Sequence, residues 1–414
     1  MEPPSNEPRV RYNPPWLAGL ANLILNGNGF IAAIPFLLRR AGLAVPEIAT
    51  ITAVLLIPSF SFFLWTPIVE LGLSRRQWWM LLYTVAASLQ FLALLQPLPA
   101  HLLRFAVLLF AANLALFAPT GILGPLVRDT VRAPLRGQAA GWISATGLIS
   151  AGGAGLVIWI AEHCSRPVLA ASVAGMGTIP VAAMWFAYEP PRIRSSGLHQ
   201  QLRAIGRDIR SGFGARSVRE GLAVFMSPMS AVAMTYLFSG IAVDYHVSGQ
   251  TTAFLGGIGW SLAGAAGSIV GGRFVGRVGP RRAYPLAGVL AGLCGASMML
   301  GSFSPLTFAI GSTLYVGIAG LCGAGFVALA IELTAGTGHA ASTWFATLWA
   351  TANLPWAYMQ WADGRGYQHF GPRGMLAVDA LGNAAPALLF LAYLRRSGAA
   401  REDVGDAAAE APTI

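Results

Sequence analysis

The chain has 414 residues, of which 55% are apolar and 11% are charged, whereas about 25% of residues are charged in soluble domains. A soluble core does not need so much apolar surface, which predicts an all-α membrane protein. The 27 basic residues are all arginine, which excludes a P-loop lysine and a Schiff-base lysine and argues against ATP-driven transport by this chain alone. A net charge of +10 would suggest nucleic acid for a soluble protein, but here the arginines indicate topology, and no nucleic-acid partner is expected.

Apolar blocks of about 20 residues, the length that spans a hydrocarbon core of roughly 30 Å, recur along the chain. They predict twelve spans, numbered 1 to 12 in chain order: 16–38, 47–69, 77–96, 102–127, 138–160, 168–188, 221–243, 251–273, 284–303, 306–331, 341–361 and 374–394. The polar, proline-rich stretch from Met1 to Pro15 is not typical of a cleavable signal, so span 1 is expected to remain as a helix.

One long polar connection divides the spans into six and six. We therefore predict five segments: an N-terminal tail at 1–15, a first half at 16–188, a central loop at 189–220, a second half at 221–394 and a C-terminal tail at 395–414. In this arrangement 21 arginines lie on the side of the N-terminus, five lie on the other side, and Arg104 lies near a span end. This asymmetry predicts that both termini are cytoplasmic.

Two loops at equivalent places in the halves share a motif. Between spans 8 and 9 the sequence runs from Gly272 through Gly276 and Gly279 to Arg281-Arg282, and between spans 2 and 3 it runs from Pro67 through Glu70 to Arg75-Arg76. Aligning Glu70 with Gly276 pairs the two arginines across an offset of 206 residues, and half of 414 is 207. Such an offset indicates two similar halves related by an axis along the membrane normal.

This repeated motif resembles the cytoplasmic signature of the major facilitator superfamily. Its chemistry is electrostatic, because an acid at a helix end can pair with arginines and cap a neighbouring helix. Each copy is incomplete, and the second has glycine where the acid belongs, so a latch on one side only is expected; arginines that merely fix topology are the alternative. The candidate gate residues are Glu70, Arg75, Arg76, Gly272, Gly276, Arg277, Arg281 and Arg282.

Within the superfamily, the chain resembles the peptide/acetyl-coenzyme A transporter group, which includes the muropeptide permeases. The resemblance is carried by Pro35 to Gly42 running into Glu47-Ile48, by Pro58 and Phe63 to Pro67, and later by Ser342 to Leu348, Asn353 to Pro355 and Asp363-Gly364. It implies a twelve-helix transporter in which helices 1, 4, 7 and 10 line the central cavity. It leaves the substrate open, since the group imports cell-wall fragments or moves acyl-coenzyme A.

Polar side chains inside the spans are costly in hydrocarbon unless they face a cavity or a partner. Asn22 and Asn26 share one face of span 1, where they could bind a polar ligand or pack between helices. Arg104 could meet an anionic substrate group or extend to the interface. The full set of substrate-binding candidates is Asn22, Asn26, Arg104, Asn113, Tyr236, Tyr315, Asn353 and Trp356.

Three acids are candidates for proton coupling. Asp379 is the one acid placed well inside a predicted span, where it could carry a proton or pair with Arg373 or Arg104. Asp244 and Glu332 end spans 7 and 10, where either could serve as a gate or coupling acid. A proton carrier must be buried enough to hold its proton near neutral pH.

These features predict a monomeric secondary transporter that moves a polar or amphipathic small molecule by alternating access with proton coupling, in the lipid bilayer and without a cofactor or metal. A membrane-embedded enzyme is disfavoured because neither G-x-S-x-G nor H-E-x-x-H occurs. A transporter-like sensor or partner subunit is the other alternative. Abundant alanine, glycine and arginine without lysine suggest a GC-rich bacterial genome and hence a bacterial inner membrane.

Overall fold

The computed structural model describes residues 12–190, 198–335 and 337–409, so most of both tails and part of the central loop lie outside the described residues. In these ranges nine helices are long and apolar enough to cross a membrane, and Thr50–Leu64 is a shorter apolar helix. One of the nine, Ala341–Arg396, is long enough to contain two spans. With the short helix and one interrupted segment, they make twelve membrane segments, α1 to α12.

The first half contains six segments in chain order. They are α1 (Pro15–Arg40), α2 (Val45–Ser61), α3 (Arg75–Leu95), α4 (Leu102–Thr130), α5 (Arg136–His163) and α6 (Arg166–Phe186). Local signals set several of these ends. Proline occupies the first turn of α1 and of α6, where a missing N–H costs nothing. Ser74 and Gln77 form a reciprocal capping box at the start of α3.

The second half begins with an interrupted segment. Segment α7 starts as the helix Arg216–Met226 and continues through residues 227–245 as short helical turns, instead of the continuous helix predicted at 221–243. It is followed by α8 (Gly249–Val278), α9 (Pro280–Leu300) and α10 (Pro305–Leu333). Gly279, with φ of 82°, and Pro280 make the sharp turn between α8 and α9.

The last two segments form a hairpin. A single straight helix over Ala341–Ala409 would be about 100 Å long, far more than a bilayer needs. Gly371 interrupts it with φ of 63° and ψ of −158°, a conformation open only to glycine, so the chain reverses between α11 (341–370) and α12 (372–396). Segment α11 therefore extends nine residues beyond its predicted end at 361.

The first segments of the two halves are broken at equivalent positions. In α1 the helix Pro15–Ala21 stops, and helical turns resume at Leu25. In α7 the helix stops at Met226, and Ser230 and Val232 have φ of 58° and 48°. Adding the repeat offset of 206 to positions 22–24 gives 228–230, which lies inside the second break. The discontinuity is therefore a property of the repeat.

Small residues bring the halves together along α5 and α8. A Cβ atom on Gly141 would lie 2.6 Å from the Ser268 carbonyl oxygen, and one on Gly137 would lie 2.8 Å from that of Gly272. The Ser144 and Ser268 hydroxyls lie 3.0 Å apart. Backbones can approach this closely only when one helix lacks side chains at the contact.

The central connection contains the helix Leu198–Gly214. Phe213 packs edge-on against Trp344 at the start of α11, with ring centroids 4.8 Å apart. Ala204 and Ile205 are buried. The helix therefore lies against the bundle, at the end that carries Arg75, Arg128 and Arg281, which we call the arginine-rich end.

Candidate functional site

A partly buried group of charges lies at the arginine-rich end of the first half. We call Glu70, Arg75, Arg128 and Asp129 the N-half charge cluster. Arg75 donates to Asp129 Oδ2 at 2.9 Å and to Glu70 Oε1 at 3.4 Å, and it is only 5% exposed. Arg128 Nε donates to Asp129 Oδ1 at 2.9 Å. Two acids and two arginines thus satisfy one another where isolated charges would be costly.

Two hydrogen bonds run from this cluster to the second half. The Ser342 amide, in the first turn of α11, donates to Glu70 Oε1 at 3.0 Å. Arg128 Nη1 donates to the Thr334 carbonyl oxygen, just after the end of α10, at 3.0 Å. Carboxylates are favoured at helix N-termini and cations at C-termini, so both contacts also use the helix dipoles. The cluster therefore ties the halves together at this end.

The second motif copy has a different set of partners. Arg281, the repeat equivalent of Arg75, donates to Glu332 Oε1 at 2.7 Å and to Glu220 Oε1 at 2.8 Å. We call Glu220, Arg281 and Glu332 the C-half charge cluster. Glu332 lies at the end of α10 as Asp129 lies at the end of α4, whereas Glu220 comes from α7. All three residues belong to one half, so this cluster does not bridge the halves.

The remaining motif residues have separate roles. Arg76 donates to the Ala187 carbonyl oxygen at 3.1 Å. Gly272 faces α5, where a Cβ atom would lie 2.7 Å from the Gly137 carbonyl oxygen. A Cβ on Gly276 would meet only the Pro134 carbonyl oxygen, at 3.7 Å. The two remaining arginines, Arg277 and Arg282, are exposed.

The three predicted asparagines of the first half, Asn22, Asn26 and Asn113, are buried between its helices. Asn22 Nδ2 donates to the Ile143 carbonyl oxygen at 2.9 Å, and Asn113 Nδ2 donates to that of Leu55 at 2.9 Å. Asn26 Nδ2 donates to the Gln90 side chain at 2.9 Å, and Gln90 donates back to the Asn26 carbonyl oxygen at 2.7 Å. These contacts favour the alternative of polar packing between helices. Asn26 Oδ1 is buried without a partner among the described residues.

A polar network lies inside the second half around Asp379, which is fully buried. Tyr315 on α10 donates its hydroxyl to Asp379 Oδ2 at 2.6 Å, and Asn383 Nδ2 approaches the same hydroxyl at 3.4 Å. Asp379 pairs with neither Arg373 nor Arg104. Arg373 lies over the Phe303 ring at 5.5 Å, and Arg104 is exposed in the first half.

A second buried acid was not among the predicted candidates. Asp363 is fully buried on α11, and neither carboxyl oxygen has a hydrogen-bond partner among the described residues. Asp379 is therefore not the one acid inside a span. The expectation was wrong because span 11 was ended at residue 361, whereas its helix continues to the reversal at Gly371.

Other candidates lie apart from these groups. Asn353 is half-buried and Trp356 is 38% exposed on α11. Asp244 accepts a hydrogen bond from the Tyr367 hydroxyl at 3.0 Å, at the opposite end from the arginines. The Tyr236 side chain lies outside the described part of the molecule. Within the described ranges, no three histidine, cysteine or acidic residues are grouped so as to hold a metal.

Twelve membrane segments in two repeated halves, joined by charges at one end, define the class of multi-pass membrane transporters. Residues 16–357 match the family model described as Major Facilitator Superfamily, and the chain belongs to this superfamily of transporters rather than to an enzyme family. The superfamily expectation and the all-α fold are thus confirmed. No protein with a curated description matches the sequence.

Solved structures share the fold at low sequence identity. The E. coli fucose:proton symporter FucP aligns with a TM-score of 0.68 at 14% identity, over 91% of this chain and 97% of that chain. The human organic anion transporter MFSD10 (TETRAN) aligns with 0.64 at 14%, over 91% and 98%. The proton:xylose symporter XylE aligns with 0.60 at 14%, over 91% and 94%. At these identities the similarity establishes the fold alone.

Proposed function

We propose that this protein is a secondary active transporter that moves a polar or amphipathic small molecule by alternating access, driven by a proton gradient. Membership of the superfamily supports the transport class. The single observation that carries the mechanism is the N-half charge cluster, whose Glu70 and Arg128 each hydrogen-bond a helix end of the other half. Such contacts close one end of a two-half bundle and must break when that end opens.

The direction of opening follows from where these contacts lie. The inter-half hydrogen bonds of Glu70 and Arg128 are at the arginine-rich end, as are the close approaches of Gly137 and Gly141 to α8. We propose that this end is cytoplasmic, in a bacterial inner membrane, because cytoplasmic segments are enriched in arginine and lysine. The described state is then closed toward the cytoplasm. We also propose that residues 189–220 are the cytoplasmic loop between the two halves.

The substrate proposal is narrower and rests on the resemblance to the peptide/acetyl-coenzyme A transporter group. Under it, the cargo is a muropeptide or another peptide-like molecule carrying both polar and apolar parts. FucP and XylE are described as symporters of sugars with protons, and MFSD10 is described as an organic anion transporter. The two proton symporters make proton coupling the mode to test for this chain.

Uptake by proteoliposomes tests this function. Purified full-length protein is reconstituted, and labelled muropeptides, dipeptides, sugars and organic anions are supplied with and without an inward proton gradient. Protein-free liposomes and vesicles with the gradient collapsed by a protonophore are the controls. We expect uptake of at least one compound above both controls. Absence of gradient-dependent flux for every compound would remove the support for a proton-driven transporter.

A further inference from the structure

Asp363 on α11 and Asp379 on α12 lie at the same level of the hairpin, each eight residues from the reversal at Gly371. One turn before Asp363, Met359 fills the space against Gly382, where a Cβ atom would lie 2.4 Å from the Met359 methyl. One turn after it, Gly366 meets Val378 and the Gly374 backbone. Asp363 therefore lies on the face of α11 that packs on α12, at the level of residues 378–382. Asp379 lies at that level on α12, where it is fully buried.

Among the described residues, the helices next to Asp363 and Asp379 place no positively charged side chain against them. The titratable groups that face Asp379 are Tyr315 and Cys322 from α10 and Cys294 from α9, while α7 contributes the Met234 backbone. None of the ion pairs formed by described residues includes Asp363 or Asp379. Two ionised carboxylates buried together without a cation are strongly disfavoured. Binding a proton removes that repulsion.

We propose that Asp363 and Asp379 form a proton-binding site shared between α11 and α12. The acids alone would not carry this inference. The second observation is that Asp363 is fully buried on the face turned to α12 and both of its oxygens lack a hydrogen-bond partner among the described residues, so either oxygen is available to share a proton. When one of the two carboxyl groups binds a proton and donates its O–H to the other, one negative charge is removed and one acceptor oxygen is satisfied.

The site is connected to the break in α7. Asn383, one turn after Asp379, approaches the Tyr315 hydroxyl with its Nδ2 and accepts a hydrogen bond from the Val232 amide at 3.0 Å with its Oδ1. Val232 has φ of 48° and lies in the broken stretch of α7. A change of charge at Asp379 therefore acts, through Tyr315 and Asn383, on the hydrogen bond that holds this stretch. This link to transport rests on the proposed function.

Proton binding can be measured without a substrate. The full-length protein is placed in lipid nanodiscs, and infrared difference spectra follow the C=O stretch of protonated carboxyl groups as pH is raised. We expect a band from a buried carboxylic acid that disappears at alkaline pH and is lost in Asp363→Asn and in Asp379→Asn. Glu162→Gln, at an exposed acid of the first half, should keep the band.

Asparagine matches the shape of aspartate, and the Asp363 oxygens make no hydrogen bond among the described residues, so Asp363→Asn should fold; an unchanged elution volume in size-exclusion chromatography checks this. Persistence of the band in both variants overturns the proposal, as does displacement of the band by sodium at constant pH, which would indicate a cation site. A titrating band without any gradient-driven flux leaves the proton site in place and rejects the proposed function. Gradient-driven flux together with an unchanged band in both variants rejects the proton site and leaves the proposed function in place.

Discussion

Arg128 and Thr334 are 206 residues apart, the offset of the internal repeat, and yet they are in contact through a hydrogen bond of 3.0 Å. Two positions exchanged by the axis that relates the halves can meet only beside that axis. The bond therefore marks the place where the end of α4 passes the end of α10. It also lies where a bundle that opens at the arginine-rich end must separate.

Removing the Arg128 side chain should weaken this closure. A hydrogen bond to a charged donor contributes about 1.5–3 kcal/mol, so Arg128→Ala should shift the ratio of closed to open states by about tenfold or more toward the open state. Spin labels at Ala133 and Arg282, exposed positions in the two halves at this end, report the separation by pulsed electron resonance in a variant without the native cysteines. We expect a new population at longer distance.

Arg277→Ala is the matched control for this experiment. Arg277 is an exposed arginine at the same end. Its removal therefore changes the net charge by the same amount, but it takes away no hydrogen bond between the halves among the described residues. An equal shift in both variants would show that overall charge, and not the contact between Arg128 and Thr334, sets the equilibrium.

The equivalent arginines of the two motif copies should differ in their contribution to stability. Arg75 is buried between Glu70 and Asp129, whereas the Arg281 side chain is 39% exposed beside its two glutamates. Losing one member of a buried ion pair costs about 3–5 kcal/mol, whereas a solvent-exposed pair contributes about 0–1 kcal/mol. Arg75→Ala should therefore lower the midpoint of thermal unfolding well below that of Arg281→Ala. Equal midpoints would contradict this.

The sequence was sufficient for the architecture because the pattern that encodes it is long-ranged. Apolar blocks recur along the chain, and the arginine pair Arg75-Arg76 recurs as Arg281-Arg282 at an offset of 206 residues. Aligning the halves one residue out of register would lose this match. The superfamily and the fold followed from them. The interrupted course of α7 did not, since residues 221–243 contain no charged residue, as in a regular span, and the left-handed Ser230 and Val232 depend on partners such as Asn383.

The partners of the charged residues were the least predictable part. The second motif copy lacks the acid at Gly276, yet Arg281 finds Glu220 and Glu332 from helices that are distant in sequence. Asp363 was not among the predicted acids because span 11 was ended at residue 361, before Asp363. Its burial depends on the reversal at Gly371, which a hydropathy pattern does not locate.

Close approach of α5 to α8 should be sensitive to a single methyl group. A Cβ atom on Gly141 would lie 2.6 Å from the Ser268 carbonyl oxygen, which is backbone and cannot turn aside. Gly141→Ala should therefore push the halves apart and increase the long-distance population of the same spin-label pair. Gly155→Ala, on the same helix with nothing within 4 Å, is the control and should leave the distances unchanged. An unchanged distribution in Gly141→Ala would mean that the helices slide without separating.

The reversal at Gly371 should tolerate no other residue. With φ of 63° and ψ of −158°, an L-amino acid there would be strained by about 1–3 kcal/mol, so Gly371→Ala should lower the thermal midpoint and the yield of folded protein. Gly364→Ala is the matched control, since Gly364 lies in the same helix with nothing within 4 Å, and alanine there should be neutral or stabilise by about 0.5–1 kcal/mol. Both variants add one methyl group, so opposite effects isolate backbone conformation from volume. Equal effects would mean that the turn between α11 and α12 is held by its packing contacts, such as Gly366 on Gly374, and not by the glycine at its apex.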